Sequence, residues 1–383
     1  MNDPLYIDNP PALSDLCERL RGSAWIALDT EFIRERTYYP QLCLVQVANE
    51  DLVACIDPLA LTDLEPFLEI IYAPTITKVL HAAQQDLEIF FHLRGTVPGP
   101  IFDTQLAATL LGHGEQVGYA TLVNALLGVE LDKSQTRTDW SQRPLEAGQL
   151  AYAVDDVRYL CAVYQHQLAE LKRCGRLAWL MDDFRELCDP GNYATNPPGA
   201  WQRIKGNHQL RGAQLAVLRA LAAWREEQAI AVDRPRRWIL GDDTLLELAR
   251  QLPKDSERLQ RIRGLEPGLL RRYGQTLLEI IATARDELQE NWPRLPARRR
   301  LTTTQEALVD AMLAVVRLRG AQQGVSPLTL ADRKDLERLL TDDPEVPLLH
   351  GWRATLVGRE LQALLRGELR LEVRDGELNI IPN

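Results

Sequence analysis

Ala24-Trp-Ile-Ala-Leu-Asp-Thr-Glu-Phe32 is a short apolar run that ends on two carboxylates one residue apart. The run predicts a buried strand over 24–28. On a strand, residues i and i+2 point to the same side, so Asp29 and Glu31 share a face and can hold one hard cation between them. Two charges at the end of an apolar strand are expensive to bury unless they are paired or coordinate metal. A solvated strand end fits the same pair equally well. Outward from this stretch the pattern alternates. Leu42–Ala48 and Leu52–Ile56 read as strands, and Pro58 ends the second of them. Leu64, Phe67, Leu68 and Ile71 have helical spacing. Thr77–Leu80 is strand-like, Ala82–Leu93 and Thr104–Leu111 are helical, and the longest helix runs from about Leu145 to Leu171. Strands alternating with helices over the first ~175 residues predict an α/β domain.

Three further residues extend the chemistry. Asp86, in Val79-Leu-His-Ala-Ala-Gln-Gln-Asp86, falls just inside a predicted helix. There it can answer the helix dipole, or join the strand carboxylates if the helix starts beside the strand's end. Tyr152 and Asp156, in Ala151-Tyr-Ala-Val-Asp-Asp-Val-Arg158, are i and i+4 on the long helix and so are neighbours. They lie well away from the apolar stripe of Leu150, Val154, Val157, Cys161 and Tyr164. Asp155 is the rival carboxylate, about 100° round the helix from Asp156.

The chain has 383 residues, 45% of them hydrophobic, enough for two or three domains with cores of their own. Asp189-Pro-Gly-Asn192 and Asn196-Pro-Pro-Gly199 form turn-rich punctuation, and beyond them the pattern is almost purely helical. Helices are expected over Leu210–Arg225, Asp243–Gln251, Arg258–Ile262 and Pro267–Glu287, then over Thr304–Gly320, Ala331–Thr341 and Trp352–Arg366. The similar order of the two sets suggests a duplicated helical unit. Net charge is −10, yet its distribution is uneven. Residues 1–200 carry 14 Lys/Arg against 28 Asp/Glu, 201–300 carry 20 against 13, and 301–383 carry 10 against 13. A basic middle segment beside an acidic first half suits a phosphate-binding surface next to a metal-binding site, and also suits an ordinary uneven surface. Arg234, Arg236 and Arg237 with Trp238 join charge to an aromatic face, and Arg298–Arg300 form a second basic cluster. The six cysteines show no CxxC pair, which fits buried thiols in a reducing cytoplasm better than disulfides or zinc. The sequence offers no membrane-length apolar run, no signal peptide at its start and no GxxxxGK[ST] loop, so neither a membrane partner nor a nucleotide cofactor is expected.

Together these motifs resemble the DEDD exonuclease superfamily, and closely the ribonuclease D family. Leu28-Asp-Thr-Glu-Phe32 is similar to the first exonuclease motif. Arg36-Thr-Tyr-Tyr-Pro-Gln-Leu-Cys-Leu-Val-Gln-Val47 continues as the family does. Val79 to Asp86 is similar to the second motif and selects Asp86. Tyr152-x-x-x-Asp156 is similar to the third motif in its tyrosine form and selects Asp156 over Asp155. Gln209-Leu-Arg-Gly-Ala-Gln-Leu215 and Arg234-Pro-Arg-Arg-Trp-Ile-Leu-Gly-Asp-Asp-Thr-Leu245 resemble the HRDC domain, with a looser likeness over 303–370.

The resemblance implies a ribonuclease H-like α/β exonuclease domain, a mixed sheet flanked by helices, followed by two all-α HRDC-like domains. The expected boundaries are 1–175 for the exonuclease, 176–206 for a linker, 207–290 for the first HRDC domain and 300–372 for the second. It implies 3′-to-5′ hydrolysis of RNA to nucleoside 5′-monophosphates, with transfer-RNA precursors as substrates. Asp29, Glu31, Asp86 and Asp156 would bind two divalent ions about 3.5–4 Å apart. Oxygen ligands select Mg²⁺ or Mn²⁺. Tyr152 would orient the attacking water rather than act as base, since its ordinary pKa is ~10. Thr30 and Phe32 would hold the terminal nucleotide, with His81, Gln84 and Gln85 as further substrate contacts and Arg236 and Arg237 on the rest of the RNA. Asp103 is expected to be a structural helix cap. A DNA exonuclease and a catalytically silent RNA-binding scaffold are the alternatives.

Overall fold

The computed structural model describes residues 3–132, 134–135, 138–295 and 301–383. The chain divides into two compact units. One comprises Met1–Phe32, Leu42–Tyr193 and Arg300–Asn383, and the other Ile33–Gln41 with Ala194–Arg299.

The first unit is built on β1 (Leu5–Ile7), β2 (Trp25–Ile33), β3 (Gln41–Ala48), β4 (Val53–Ile56), β5 (Thr77–Leu80) and β6 (Ile101–Asp103), in the order β1-β4-β3-β2-β5-β6. The sheet is mixed, as expected: β3 and β4 are antiparallel, while β1 with β4, β2 with β5 and β5 with β6 are parallel. Around it lie α1 (Pro10–Leu20), α2 (Glu65–Ile71), α3 (Gln84–Arg94), α4 (Thr104–Leu110), α5 (Tyr119–Leu127), α6 (Ala147–Arg173) and α7 (Leu180–Leu187). Leu13, Leu16 and Leu20 of α1, Phe67 and Ile71 of α2, and Leu87 and Phe90 of α3 join Ile26, Leu28 and Ile56 in one core. A smaller cluster joins Ala108, Leu122, Val123 and Val163.

β2 is longer than its apolar run. Its register with β5 runs from Trp25–Thr77 to Ala27–Val79, after which β5 ends and the chain turns into α3. The far half of β2 therefore has an open flank, and that half carries Asp29 and Glu31. β1, α1, α5 and α7 were not anticipated. β1 is only three residues long, and α1 opens on Pro10-Pro11, an N-terminal helix signal, with Asn9 as its cap.

In the second unit, α8 (Ala213–Ala231), α9 (Arg236–Ile239), α10 (Asp242–Gln251), α11 (Ser256–Gln260) and α12 (Pro267–Arg285) surround a core of Leu218, Leu221, Leu245, Leu248, Leu277 and Ile281. The start of α8 lies three residues beyond the expected Leu210, because Gly212 sits at φ +54 just before it. Arg225 is buried in this core and is satisfied by the Leu240 carbonyl at 3.0 Å and Asp242 at 2.6 Å. Residues 33–41 belong to this unit. Tyr38 packs against its core and donates its hydroxyl to the buried Glu226 at 2.5 Å.

Residues 301–383 fold within the first unit as α13 (Thr303–Gln323), α14 (Pro327–Leu330), α15 (Arg333–Leu339), α16 (Gly351–Arg353), a π-helical turn at Ala354–Gly358 and α17 (Arg359–Leu365). Gly358 is required there, since a Cβ would lie 1.8 Å from the Leu348 carbonyl oxygen. Trp352 stacks on Trp179 with ring centroids 5.4 Å apart, and Arg353 pairs with Asp183 at 3.2 Å. The purely helical pattern fails at the end of the chain. β7 (Leu369–Arg374) and β8 (Glu377–Pro382) form a hairpin about Asp375-Gly376, both at positive φ, the turn that such a dipeptide favours.

Candidate active site

Three elements bring the carboxylates together. Asp29 and Glu31 come from the open-flanked half of β2. Asp86 comes from the first turn of α3, whose start is fixed by Asp103. That buried carboxylate accepts the backbone N–H groups of Ala82 (3.2 Å) and Ala83 (2.9 Å) before α3, and those of Gln105 (2.7 Å) and Leu106 (3.3 Å) as the cap of α4. Tyr152 and Asp156 come from α6. Ligand oxygens of Asp29, Glu31 and Asp156 lie within 4.8 Å of one another. Asp86 stands outside this tight group but is linked to it through Thr30, whose hydroxyl donates to Asp86 at 2.5 Å. The Tyr152 hydroxyl hydrogen-bonds Asp156.

α6 is buried on more than one face because it packs on β4 and β5 and also against α4 and α5. Tyr152 and Asp156 therefore face a cavity of about 320 Å³ rather than open solvent, in a wall shared with Asp29, His81, Tyr119 and Leu160. Asp155 faces elsewhere. It lines a separate cavity with Tyr6 and Leu150, and it pairs with Arg158 at 3.6 Å.

The electrostatics show what this cluster can bind. Burial pushes Asp29 well above the usual carboxylate range, and the charges of Asp156, Asp86 and Glu31 add to it. Burial, then Asp156 and Asp86, push Glu31 up to about 9. Burial lifts Asp86 to about 7 against the opposing hydrogen bond from Thr30. It lifts Asp156 to about 7 against the hydrogen bond from Tyr152. Four carboxylates, Asp86 buried and Asp29, Glu31 and Asp156 half-buried, that all resist ionisation call for a positive charge among them to be ionised together at neutral pH. An all-oxygen donor set of this kind suits a hard divalent cation.

The other expected contact residues are dispersed. Thr30 is buried with its hydroxyl committed to Asp86, which leaves its backbone, and Phe32 packs partly against the main core. His81 lines the cavity, but both ring nitrogens are engaged, Nδ1 with Thr104 and Nε2 with the Val117 carbonyl, each at 2.9 Å. Burial lowers its pKa, partly offset by Asp103. Neutral His81 donates from Nε2 to the carbonyl and presents only its ring to the cavity. Gln84 and Gln85 are exposed on the first turn of α3. In the second unit Arg237 and Trp238 are exposed, Arg234 lies over the Trp238 ring at 5.6 Å, and Arg236 pairs with Glu226 at 3.6 Å. Arg298–Arg300 lie outside the described residues.

Two features escaped the sequence reading. Tyr119 lines the cavity and donates to the Asp155 carbonyl at 3.1 Å. The buried Asp57 holds Arg143 in two parallel hydrogen bonds of 2.6 and 2.8 Å, and Arg143 also donates to the carbonyls of Cys43, Trp140 and Gln142. This clamp fixes the segment that leads into α6. No local pattern marks either feature, because each joins residues far apart in sequence. The cysteines are free, four of them buried, with Cys174 exposed and Cys188 half-buried.

Known proteins match this arrangement along the whole chain. Residues 4–172 match the family model for 3′-5′ exonucleases, and residues 214–281 match that of the HRDC domain. The sequence is 41% identical to ribonuclease D of Acidiphilium cryptum, over 99% of this chain and 97% of that protein. The chain belongs to the ribonuclease D family. Ribonuclease D of Gluconacetobacter diazotrophicus is 42% identical over the same shares of the two chains, 99% and 97%. The crystal structure of Escherichia coli RNase D, an exoribonuclease involved in structured RNA processing, superposes with a TM-score of 0.85 at 34% identity, covering 96% of this chain and 99% of that one. As a member of the family the chain is a 3′-to-5′ exoribonuclease, and its mixed-sheet domain with a helical, HRDC-bearing C-terminal region is the expected architecture.

Proposed function

We propose that this ribonuclease D-family chain trims transfer-RNA precursors and other structured RNAs from their single-stranded 3′ ends in the cytoplasm, with Asp29, Glu31, Asp86 and Asp156 as ligands for two Mg²⁺ or Mn²⁺ ions. The observation that carries the reading is the cluster itself: carboxylates from β2, α3 and α6, half-buried to buried and all pushed towards protonation. Cations bound there would acidify the attacking water and offset charge on the departing 3′-oxygen. The carboxylates' part is to fix those charges and to exclude other donors. Tyr152, hydrogen-bonded to Asp156, holds the water in line with the terminal phosphodiester. Its O–H is donated to Asp156, so its oxygen is what accepts from the water. The Thr30 backbone, the Phe32 ring and the His81 ring border the terminal nucleotide, with Gln84 and Gln85 beyond them. Arg236, Arg237 and Trp238 contact the backbone and bases of the remaining strand, a mode that reads little sequence.

The test uses one 5′-labelled strand, made as RNA and as DNA, with Mg²⁺, with Mn²⁺ and with EDTA. A ladder shortening from the 3′ end of RNA, abolished by EDTA and by Asp156→Asn but kept by Asp155→Asn, is expected. Equal loss of DNA would make the chain a general 3′ exonuclease. Full turnover by Asp156→Asn would overturn the ligand assignment.

A further inference from the structure

The second unit contains an open cavity of about 1010 Å³ that has no part in the site above. It is walled by His208, Arg211 and Gly212 ahead of α8, by Leu215 in its first turn, and by residues 289–290 and 292–295 beyond α12. It lies almost wholly outside 214–281, the stretch matched to the HRDC family.

Its chemistry is one-sided. Arg211 and Arg294 are both exposed on its wall, and Arg211 commits one terminal nitrogen to the carbonyls of His208 and Leu210. The N-terminus of the 19-residue α8 opens there with Gly212 as its cap residue and no side chain capping it. A helix start of this kind favours an anion. Trp292 supplies a flat aromatic wall packed on Gly212, where a Cβ would come within 3.1 Å of the indole ring. Its indole N–H is buried and has no hydrogen-bond partner among the described residues. Glu290 is the single carboxylate of the lining. Donors thus outnumber acceptors, and a stacking surface stands beside them. A phosphodiester with an attached base has the complementary set: anionic acceptors for the donors and a π-face for the indole.

We propose that this cavity is a strand-holding subsite that takes one internal nucleotide of single-stranded RNA. The phosphate lies towards Arg211, Arg294 and the start of α8, and the base stacks on Trp292. The proposal rests on the exoribonuclease reading for its ligand but not on the carboxylate site for its evidence. It would add affinity for longer strands without a contribution to the cleavage step.

The experiment uses full-length protein in EDTA, where binding is read without cleavage. Oligoadenylate of twelve residues is titrated against tryptophan fluorescence and followed by anisotropy, with AMP as the second arm. Quenching by the 12-mer that is lost in Trp292→Phe difference spectra, with AMP ineffective at the same nucleotide concentration, is expected. Arg294→Ala should weaken 12-mer binding several-fold and lower the slope of log affinity against log salt by about 0.7, the share of one phosphate contact on a single strand. With Mg²⁺ present, the same variant should raise KM for the 12-mer and leave kcat, and the turnover of a trinucleotide, unchanged. An unaltered salt slope and KM in both Arg294→Ala and Arg211→Ala would overturn the subsite. Tight AMP binding that Arg294→Ala abolishes would overturn the strand assignment in favour of a mononucleotide site. Inactive protein that still binds the 12-mer through Trp292 would refute the catalytic reading alone.

Discussion

Arg143→Met should be among the most destabilising single changes in the first unit. The guanidinium makes two hydrogen bonds to Asp57 and donates to three backbone carbonyls, and the Tyr6 hydroxyl meets the same carboxylate at 2.6 Å. The Asp57 side chain is 3% exposed and that of Arg143 24%. Removing one member of a buried pair leaves an uncompensated charge, at roughly 3–5 kcal/mol. Since Arg143 keeps about a quarter of its surface in water, the lower end, about 3 kcal/mol, is expected at pH 7. The pH dependence has a definite sign. Burial pushes the Asp57 carboxyl up, but the hydrogen bonds from Arg143, Tyr6 and the Leu59 N–H, with the charge of Arg143, hold it below its ordinary 3.8. A depressed folded-state pKa gives stability that is present above the unfolded value and lost as pH falls through the folded one. The gap between wild type and variant should therefore narrow below about pH 4. Urea unfolding read by amide hydrogen exchange in β3 and β4 isolates this unit from the other. Asp57→Leu in the Arg143→Met background should recover part of the loss, with a coupling of about 1.5 kcal/mol or more in the double-mutant cycle. A loss under about 1 kcal/mol at pH 7, or a loss that does not change with acid, would refute the clamp.

Other perturbations separate the roles assigned to individual side chains. In EDTA, Glu31 at about 9 and Asp86 and Asp156 at about 7 all have raised folded-state values. The stability they permit is full below about pH 4 and is lost as pH rises towards 9, so the metal-free melting temperature should fall across that window. Glu31→Gln should flatten the fall, and Mg²⁺ should raise the melting temperature of wild type but not of Asp29→Asn. Tyr152→Phe should lower kcat roughly 10²-fold with little change in KM, as loss of one orienting hydrogen bond does; an equal rise in KM would assign Tyr152 to substrate binding. Lys78, fully buried in β5, donates to the carbonyls of Ala73, Ile76 and Gly99. Lys78→Met should cost about 2 kcal/mol or more in urea unfolding, since it strands acceptors inside the fold. Tyr38→Phe should destabilise the second unit by about 1.5–3 kcal/mol, the range for a hydrogen bond to a charged group, seen as faster hydrogen exchange in α8.

The elements most legible in the sequence were those whose signal is local. Thr77–Leu80 is a strand at its expected residues, and the long helix expected over 145–171 spans Ala147–Arg173. What was missed depends on partners distant in the chain. α1 and α5 are short helices whose apolar faces make sense only against the sheet and α6. The Asp57–Arg143 clamp joins residues 86 apart, and Tyr38 and Glu226 are 188 apart. The terminal hairpin is a different case. Arg374-Asp-Gly-Glu377 is a strong local turn signal between alternating residues, outweighed in the reading by the helical run before it.

The choice between Asp155 and Asp156 shows how the site depends on both levels of information. Adjacent helical residues differ by about 100°, so Asp155 and Asp156 point in different directions from α6. Spacing alone paired Tyr152 with Asp156 but could not say which face of α6 met the strand carboxylates. Packing settles that. α6 packs on β4 and β5, α4 and α5 take the side of Val163, and the Tyr152–Asp156 face forms a wall of the cavity shared with Asp29. Asp155 is turned to a cavity with Tyr6 and Leu150, where Arg158 answers its charge. Burial raises both carboxyls, but different partners offset it. Asp155 has a cation beside it, while Asp156 has only Tyr152 to offset its burial and sits among three other carboxylates. A charge left without an internal partner in this way is stable only with an external cation, which is why Asp156→Asn and Asp155→Asn should differ so widely in activity while differing little in fold.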